Sequence, residues 1–259
     1  MTWLGIFRKR SLSADKLQKI AKLASDPFAQ SDVRMSEMQR LLDEDHVDAL
    51  HAVLKRFRTT AEGTIADEDE KAWLAGQLEK IGEKAVVPIE EYIRKEEKLT
   101  HVLRVYERIK GQEQALSFFT EVLAAYGPED HRSIDAKLQI VVHLSEYELS
   151  PEILQKLVAF LHDHSDDVQW MVMDIFDRSE QLDNAAQASL LAQVAIQLGA
   201  LLQQKDTPLR IQQRAAELLA RKNWVLPASL QTDLPEPISQ RYFIDKKGFV
   251  RARIPANAV

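Results

Sequence analysis

The chain has 259 residues, 45% hydrophobic and 29% charged, with 34 basic against 40 acidic side chains, a net charge of −6, no cysteine and eight glycines. That length fits one large or two ordinary domains, and the apolar content suffices for a core, which excludes disorder throughout. The lack of cysteine excludes disulfides, thiolate metal sites and a cysteine nucleophile, and so few glycines leave little for phosphate-cradling loops.

The first ten residues place Trp3, Leu4, Ile6 and Phe7 ahead of Arg8, Lys9 and Arg10. This order is the reverse of a secretory signal, so a cytoplasmic protein is expected. Residues 1–12 read as an apolar and basic tail. Residues 1–10 suit a transient contact with an anionic membrane surface, or docking in a partner's groove.

From residue 13 onward, apolar side chains recur every three or four positions, the spacing that gives a helix one apolar face. Leu99, Val102, Leu103, Tyr106 and Ile109 make one such stripe; Val168, Met171, Val172, Ile175 and Phe176 make another. Breaks come at Gly82, Gly111 and Gly127-Pro128, and starts at Ser150-Pro151, Ser165 and Thr207-Pro208. Together they predict helices in pairs: 13–24 with 31–43, 46–58 with 68–82, 84–96 with 98–110, 112–126 with 131–146, 150–163 with 166–178, and 184–204 with 207–223. The entry residues of the second helices, 33, 70, 99, 134, 168 and 209, recur about every 35 residues, the period of a degenerate helical repeat. The best apolar run, Leu190 to Leu202, is too short to span a bilayer.

Three second helices open alike: Ser31-Asp32-Val33-Arg34, Ser165-Asp166-Asp167-Val168-Gln169 and Asp206-Thr207-Pro208-Leu209-Arg210. The run from Leu78 to Ile89 carries Ile81-Gly82 followed by Val86-Val87-Pro88-Ile89. In these features the chain resembles HEAT-repeat proteins of bacterial type, over about four-fifths of its length. The resemblance implies an all-α, armadillo-type, HEAT-like α-solenoid of about six helix pairs across residues 13–226. The alternative is an irregular helical bundle. Gly82 is expected to supply a left-handed helix end, and Pro88 to lie in the first turn of the next helix. Position 70 departs from the pattern by being Glu, and Ser36 and Glu37 fall where the first pair should point inward.

Residues 227–259 form a proline-rich link, with Pro227, Pro235 and Pro237, and then a basic tail in which Arg241 to Ile254 reads as two short strands around Asp245-Lys246-Lys247-Gly248. A lone hairpin is marginal in water. It must fold back on the helices or augment a partner's sheet.

Charge is unevenly spread. Residues 1–22 carry six bases and one acid, residues 205–259 ten bases and five acids, and the middle is left at −16. The acidic runs Asp43-Glu44-Asp45 and Asp67-Glu68-Asp69-Glu70 read as caps just before helices, where the helix dipole favours negative charge. The only histidine cluster, His162-Asp163-His164, reads as a solvated turn, with a metal site as the lesser reading. Trp73, Trp170 and Trp224 are expected in the core. Gln212, Gln213 and Arg214 suggest a last helix with one side open to water. HExxH and GxSxG are both absent.

No catalytic, cofactor or metal residue is assigned. The expected function is a non-enzymatic scaffold or adaptor whose acidic surface binds a protein partner through a basic or extended segment, weakened by salt. Two alternatives of other classes share the fold: a HEAT-like DNA-binding protein or DNA glycosylase, disfavoured by the acidic middle, and a maturation factor resembling the HEAT-repeat phycobilin lyases.

Overall fold

The computed structural model describes residues 13–44, 46–183 and 185–253. The apolar and basic tail expected at residues 1–12, and with it the expectation of a membrane contact, therefore lies outside the described residues, as do Asp45, Asn184 and residues 254–259.

Twelve α-helices follow one another among the described residues. They are α1 Ala14–Ala24, α2 Ser31–Leu42, α3 Val47–Leu54, α4 Thr64–Ile81, α5 Glu83–Lys95, α6 Thr100–Lys110, α7 Gln112–Tyr126, α8 Ile134–Leu144, α9 Pro151–Leu157, α10 Asp166–Arg178, α11 Ala188–Gln203 and α12 Leu209–Lys222. Each expected helix is present. The segments after α3 and α9 tighten into 3-10 turns, Lys55–Arg58 and Val158–His162. At α9 the local chemistry is complete: Pro151 opens the helix and the Ser150 hydroxyl accepts the Ile153 N–H at 3.5 Å.

The chain divides into two compact units, Met1–Leu116 and Ser117–Val259, the division falling within α7. In the first unit α1 packs on α3 and α3 on α5, while α2 packs on α4 and α4 on α6. Odd helices thus form one layer and even helices another. Leu17, Met38, Val53, Leu74, Ile89, Ile93 and Val102 are buried in this unit. The second unit repeats the scheme: α8 packs on α10 and α10 on α12, while α11 packs on α12 and on the turn that follows α9. Its core holds Phe119, Ile140, Leu157, Val172, Phe176, Leu198 and Leu219.

After α12, Asn223 adopts the left-handed conformation (φ 52°, ψ 44°) that ends the helix. The chain then folds back with Trp224, Leu226, Leu234, Ile238 and Val250 buried. Strands β1 Tyr242–Ile244 and β2 Val250–Ala252 pair antiparallel, with Tyr242 opposite Ala252. The hairpin gains its stability from the helices: β2 packs on α12. Leu226 and Leu230 press against Gly199 of α11, where a Cβ would sit 2.7 Å and 2.9 Å from their methyl carbons.

Several expectations change. Pro88 is the sixth residue of α5, not part of its first turn, and having no N–H it makes no helical bond back to the preceding turn. Gly82 has positive φ but extended ψ (65°, −134°), so it joins α4 to α5 by a sharp bend and not by a left-handed cap. In α2 the inward positions are Arg34, Met38 and Leu41, so Ser36 and Glu37 never needed to be apolar. Gln212 and Arg214 are buried, so α12 is covered where an open side was expected. Among the described residues no helix is long and apolar enough to cross a membrane.

Gly248 closes the hairpin with φ +87°, and an added Cβ would lie 2.9 Å from the Leu226 carbonyl oxygen. Gly248→Ala should therefore cost about 1–3 kcal/mol, whereas Lys247→Ala on the same turn should be neutral. Thermal melts of the two variants check this.

Candidate interaction surfaces and buried charge clusters

Two clusters of titratable groups could in principle carry chemistry, and both turn out to be closed. The first lies in the Met1–Leu116 unit. Arg34 of α2, Arg56 of the turn after α3, and Asp67, Glu70 and Lys71 of α4 are all buried. Arg34 grips Glu70 with two bonds, 2.8 Å from Nε and 2.6 Å from a terminal nitrogen, and also donates to the Ala29 carbonyl. Arg56 reaches Asp67 at 2.5 Å and Glu70 at 2.8 Å, and its remaining terminal nitrogen donates to Thr59 O and Oγ1 at 3.2 Å. Lys71 Nζ lies 2.6 Å from Asp67 Oδ2, and the Ala61 N–H donates to Oδ1 at 2.9 Å.

Three cations and two anions are thus satisfied by each other and by backbone carbonyls, as buried charge requires. Burial opposes ionisation of Asp67, but the bonds from Lys71, Ala61 and Arg56 outweigh it and hold the carboxyl at about 2 instead of 3.8. Glu70 is lowered in the same way, with Arg34, Ser31 and Arg56 overcoming its burial. The run Asp67–Glu70 therefore lies inside a helix with two of its members buried, and does not act as a solvated cap.

The second cluster replaces the expected solvated turn at His162-Asp163-His164. Asp163 and Lys137 are fully buried and 2.7 Å apart. Asp163 Oδ1 accepts the Ser165 N–H at 2.8 Å, and its carbonyl accepts from Gln169 Nε2 at 2.6 Å. Burial pushes the Asp163 carboxyl up against the opposing pull of Lys137 and Ser165. Ser165 precedes α10, yet its own side chain makes no cap bond; Asp163 supplies the acceptor. Lys137 also donates to Gly127 O at 3.3 Å, and His164 N–H donates to Pro128 O at 3.0 Å, which ties the turn before α8 to the turn before α10. This brings His131 and His164 edge to face, centroids 3.9 Å apart. Among the described residues no group of three or more His, Asp or Glu side chains is placed to hold a metal ion.

What stays open is a surface. In the Ser117–Val259 unit, α8, α10 and α12 frame a groove of about 610 Å³ lined by Leu138, Val142, Asp167, Trp170, Met171 and Arg210. Trp170 is 36% and Val142 40% exposed, so this tryptophan belongs to the surface. Trp73 is half-buried and Trp224 buried. Ion pairs tie α10 to α12 beside the groove, and that of Arg210 with Asp167 stands at its rim. Arg210 meets Asp166 at 3.1 Å and Asp167 at 2.8 Å; Arg214 meets Asp174 at 2.5 Å and Asp177 at 2.8 Å; Arg221 also pairs with Asp177. The Arg214 guanidinium lies 5.6 Å from the centre of the Trp170 ring. Three of the ten bases read at residues 205–259, Arg210, Arg214 and Arg221, are thus the complement of acidic α10.

The signal for these pairs was present as spacing. Arg210, Arg214 and Arg221, like Asp166, Trp170, Asp174 and Asp177, recur at three, four or seven, one face of a helix. Comparison with protein families, curated proteins and solved structures finds no match.

Asp67 ionises at a lower pH folded than unfolded, so its contribution of about 2 kcal/mol is present above pH 3.8 and is lost as the pH falls through about 2. Asp67→Asn should flatten the fall in melting temperature over that window. For the second cluster, Lys137→Met strands a buried carboxyl and should cost about 3–5 kcal/mol, while Lys137→Met with Asp163→Leu should cost less than the single change. Chemical denaturation of the three proteins reads the coupling.

Proposed function

We propose that the chain is a non-enzymatic interaction scaffold made of HEAT-type helix pairs stacked as a solenoid, and that the ridge of α8, α10 and α12 is a partner-binding face. The two-layer packing within each unit supports the repeat reading, since consecutive second helices lie side by side as such a stack requires. The binding reading is carried by the groove around Trp170, an exposed aromatic and aliphatic patch held on rigid helices. Surface tryptophans in a shaped apolar recess, with charged groups at the rim, are typical interaction anchors.

The partner is a protein segment that sets an apolar side chain beside Trp170 and Met171 and a basic group near Asp167. Arg210 already shares Asp167, so apolar contact outweighs charge at this place. Salt should weaken the complex less than the acidity of the middle of the sequence suggests.

Trp170→Ala should lower the melting temperature modestly, since the ring is partly buried and lies beside Arg214, and should lower retention of the partner at least tenfold. The measurement is quantitative co-purification from the native host, with the parent and the variant side by side. Equal retention by both would remove the groove as the binding face.

A further inference from the structure

The hairpin offers a second and independent place for a partner. The register sets Tyr242 opposite Ala252, Phe243 opposite Arg251 and Ile244 opposite Val250. The Arg253 N–H donates to Arg241 O at 2.7 Å, and the Asp245 N–H to Phe249 O at 2.9 Å. Because hydrogen-bonded and non-bonded pairs alternate in an antiparallel ladder, Phe243 with Arg251 is the bonded pair between them. Tyr242 and Ile244 therefore aim their N–H and C=O groups away from β2. Among the described residues none of these four groups has a partner. The outer side of β2 differs: Val225 bridges to Phe249, and the Leu226 N–H donates to Gly248 O at 2.9 Å.

The free edge of β1 does not face open water. It forms one wall of a groove of about 500 Å³, whose other wall is the segment Gln231 to Glu236. Leu234, Phe243 and Ile244 supply apolar contacts there, and Phe243 is 37% exposed beneath the Arg253 guanidinium. Asp233 and Glu236 stand exposed at its rim. Arg253 is engaged with the Ser239 carbonyl at 2.8 Å. A site of this size, with unpaired strand donors and acceptors on one side and carboxylates on the other, has the requirements of strand addition.

We infer that the groove beside β1 binds an extended segment of a partner protein, which adds as a third strand along Tyr242–Ile244 and sets a Lys or Arg against Asp233 and Glu236. The main chain of the partner supplies the hydrogen bonds. The cation fixes its direction. This site shares no residue with the Trp170 groove, so either can fail without the other.

The test uses the full chain. Random peptides of about ten residues displayed on phage are selected against it, and the strongest binder is resynthesised as the probe. The probe is expected to shift the backbone amide resonances of Tyr242 and Ile244. Its affinity should fall at least tenfold when its alternate amides are N-methylated, when Ile244→Pro removes the outward N–H, and when Asp233→Lys with Glu236→Lys reverses the rim. Binding to Trp170→Ala should match the parent. Should Ile244→Pro loosen the hairpin, the rim variant still decides, since both its side chains are exposed. A selection that yields no binder, or a binder indifferent to N-methylation and to the rim variant, overturns the inference. A probe lost in Trp170→Ala but kept in the rim variant overturns it in favour of the helical groove. A chain ended at Arg253 that binds the probe more than tenfold tighter would assign the groove to the protein's own last residues, and overturns the external partner.

Discussion

Charge buried between neighbouring even-numbered helices is the constraint on which both units rest. Arg56 of the first unit, with none of its surface exposed, binds two carboxylates of α4 while Arg34 of α2 binds one of them from the other side. In the second unit Lys137 of α8 and Asp163 of the turn before α10 form a fully buried pair, and α12 meets α10 through the buried Arg214, with Arg210 and Arg221 half-exposed beside it. Apolar contact holds helices together without fixing how far one slides along the next. An ion pair with two or three bonded partners does fix it, because a shift of one turn would leave a charge buried and alone. The pairs thus set the registry from which the surface grooves derive their shape.

This constraint explains which parts of the structure were legible in the sequence. The helices were, with starts misplaced by up to four residues as at α4 and α11, because apolar spacing, Ser150-Pro151 and the scattered glycines are local signals. The hairpin was legible for the same reason, through the Asp245–Gly248 turn between two β-rich runs. Burial of polar groups was not. Glu70 stood out only as a misfit in the apolar pattern, and Asp163 as one polar residue in a polar turn; their partners, Arg34 at a separation of 36 and Lys137 at 26, are distant in sequence. Spacing within one helix cannot show what a neighbouring helix offers. Trp170 was misplaced for the related reason that an apolar stripe names a face without saying whether anything covers it.

The candidate surfaces follow the same division. Acidic side chains gave the middle of the chain its apparent attraction for cations, yet four of those on α10 are already bound by α12. What remains for a partner on this face is chiefly aromatic and aliphatic. At the hairpin the main chain itself is the free element, with Asp233 and Glu236 as the neighbouring charges. Neither surface needs motion of the helices to be reached, and each stands on a part of the fold anchored by buried residues.

The returning C-terminal segment has a further consequence. Leu226 and Leu230 lie across Gly199, β2 lies on α12, and Leu234, Ile238 and Val250 are sealed beneath. The flank of the last helix pair that another pair would need is therefore already taken, by a piece of different architecture. A stack of similar pairs carries at its ends a face able to receive one more, and with it a tendency toward open-ended growth between molecules. Here the hairpin and the segment leading to it cover α11 and α12 in place of a further helix pair, so this flank is not open to a copy of the chain.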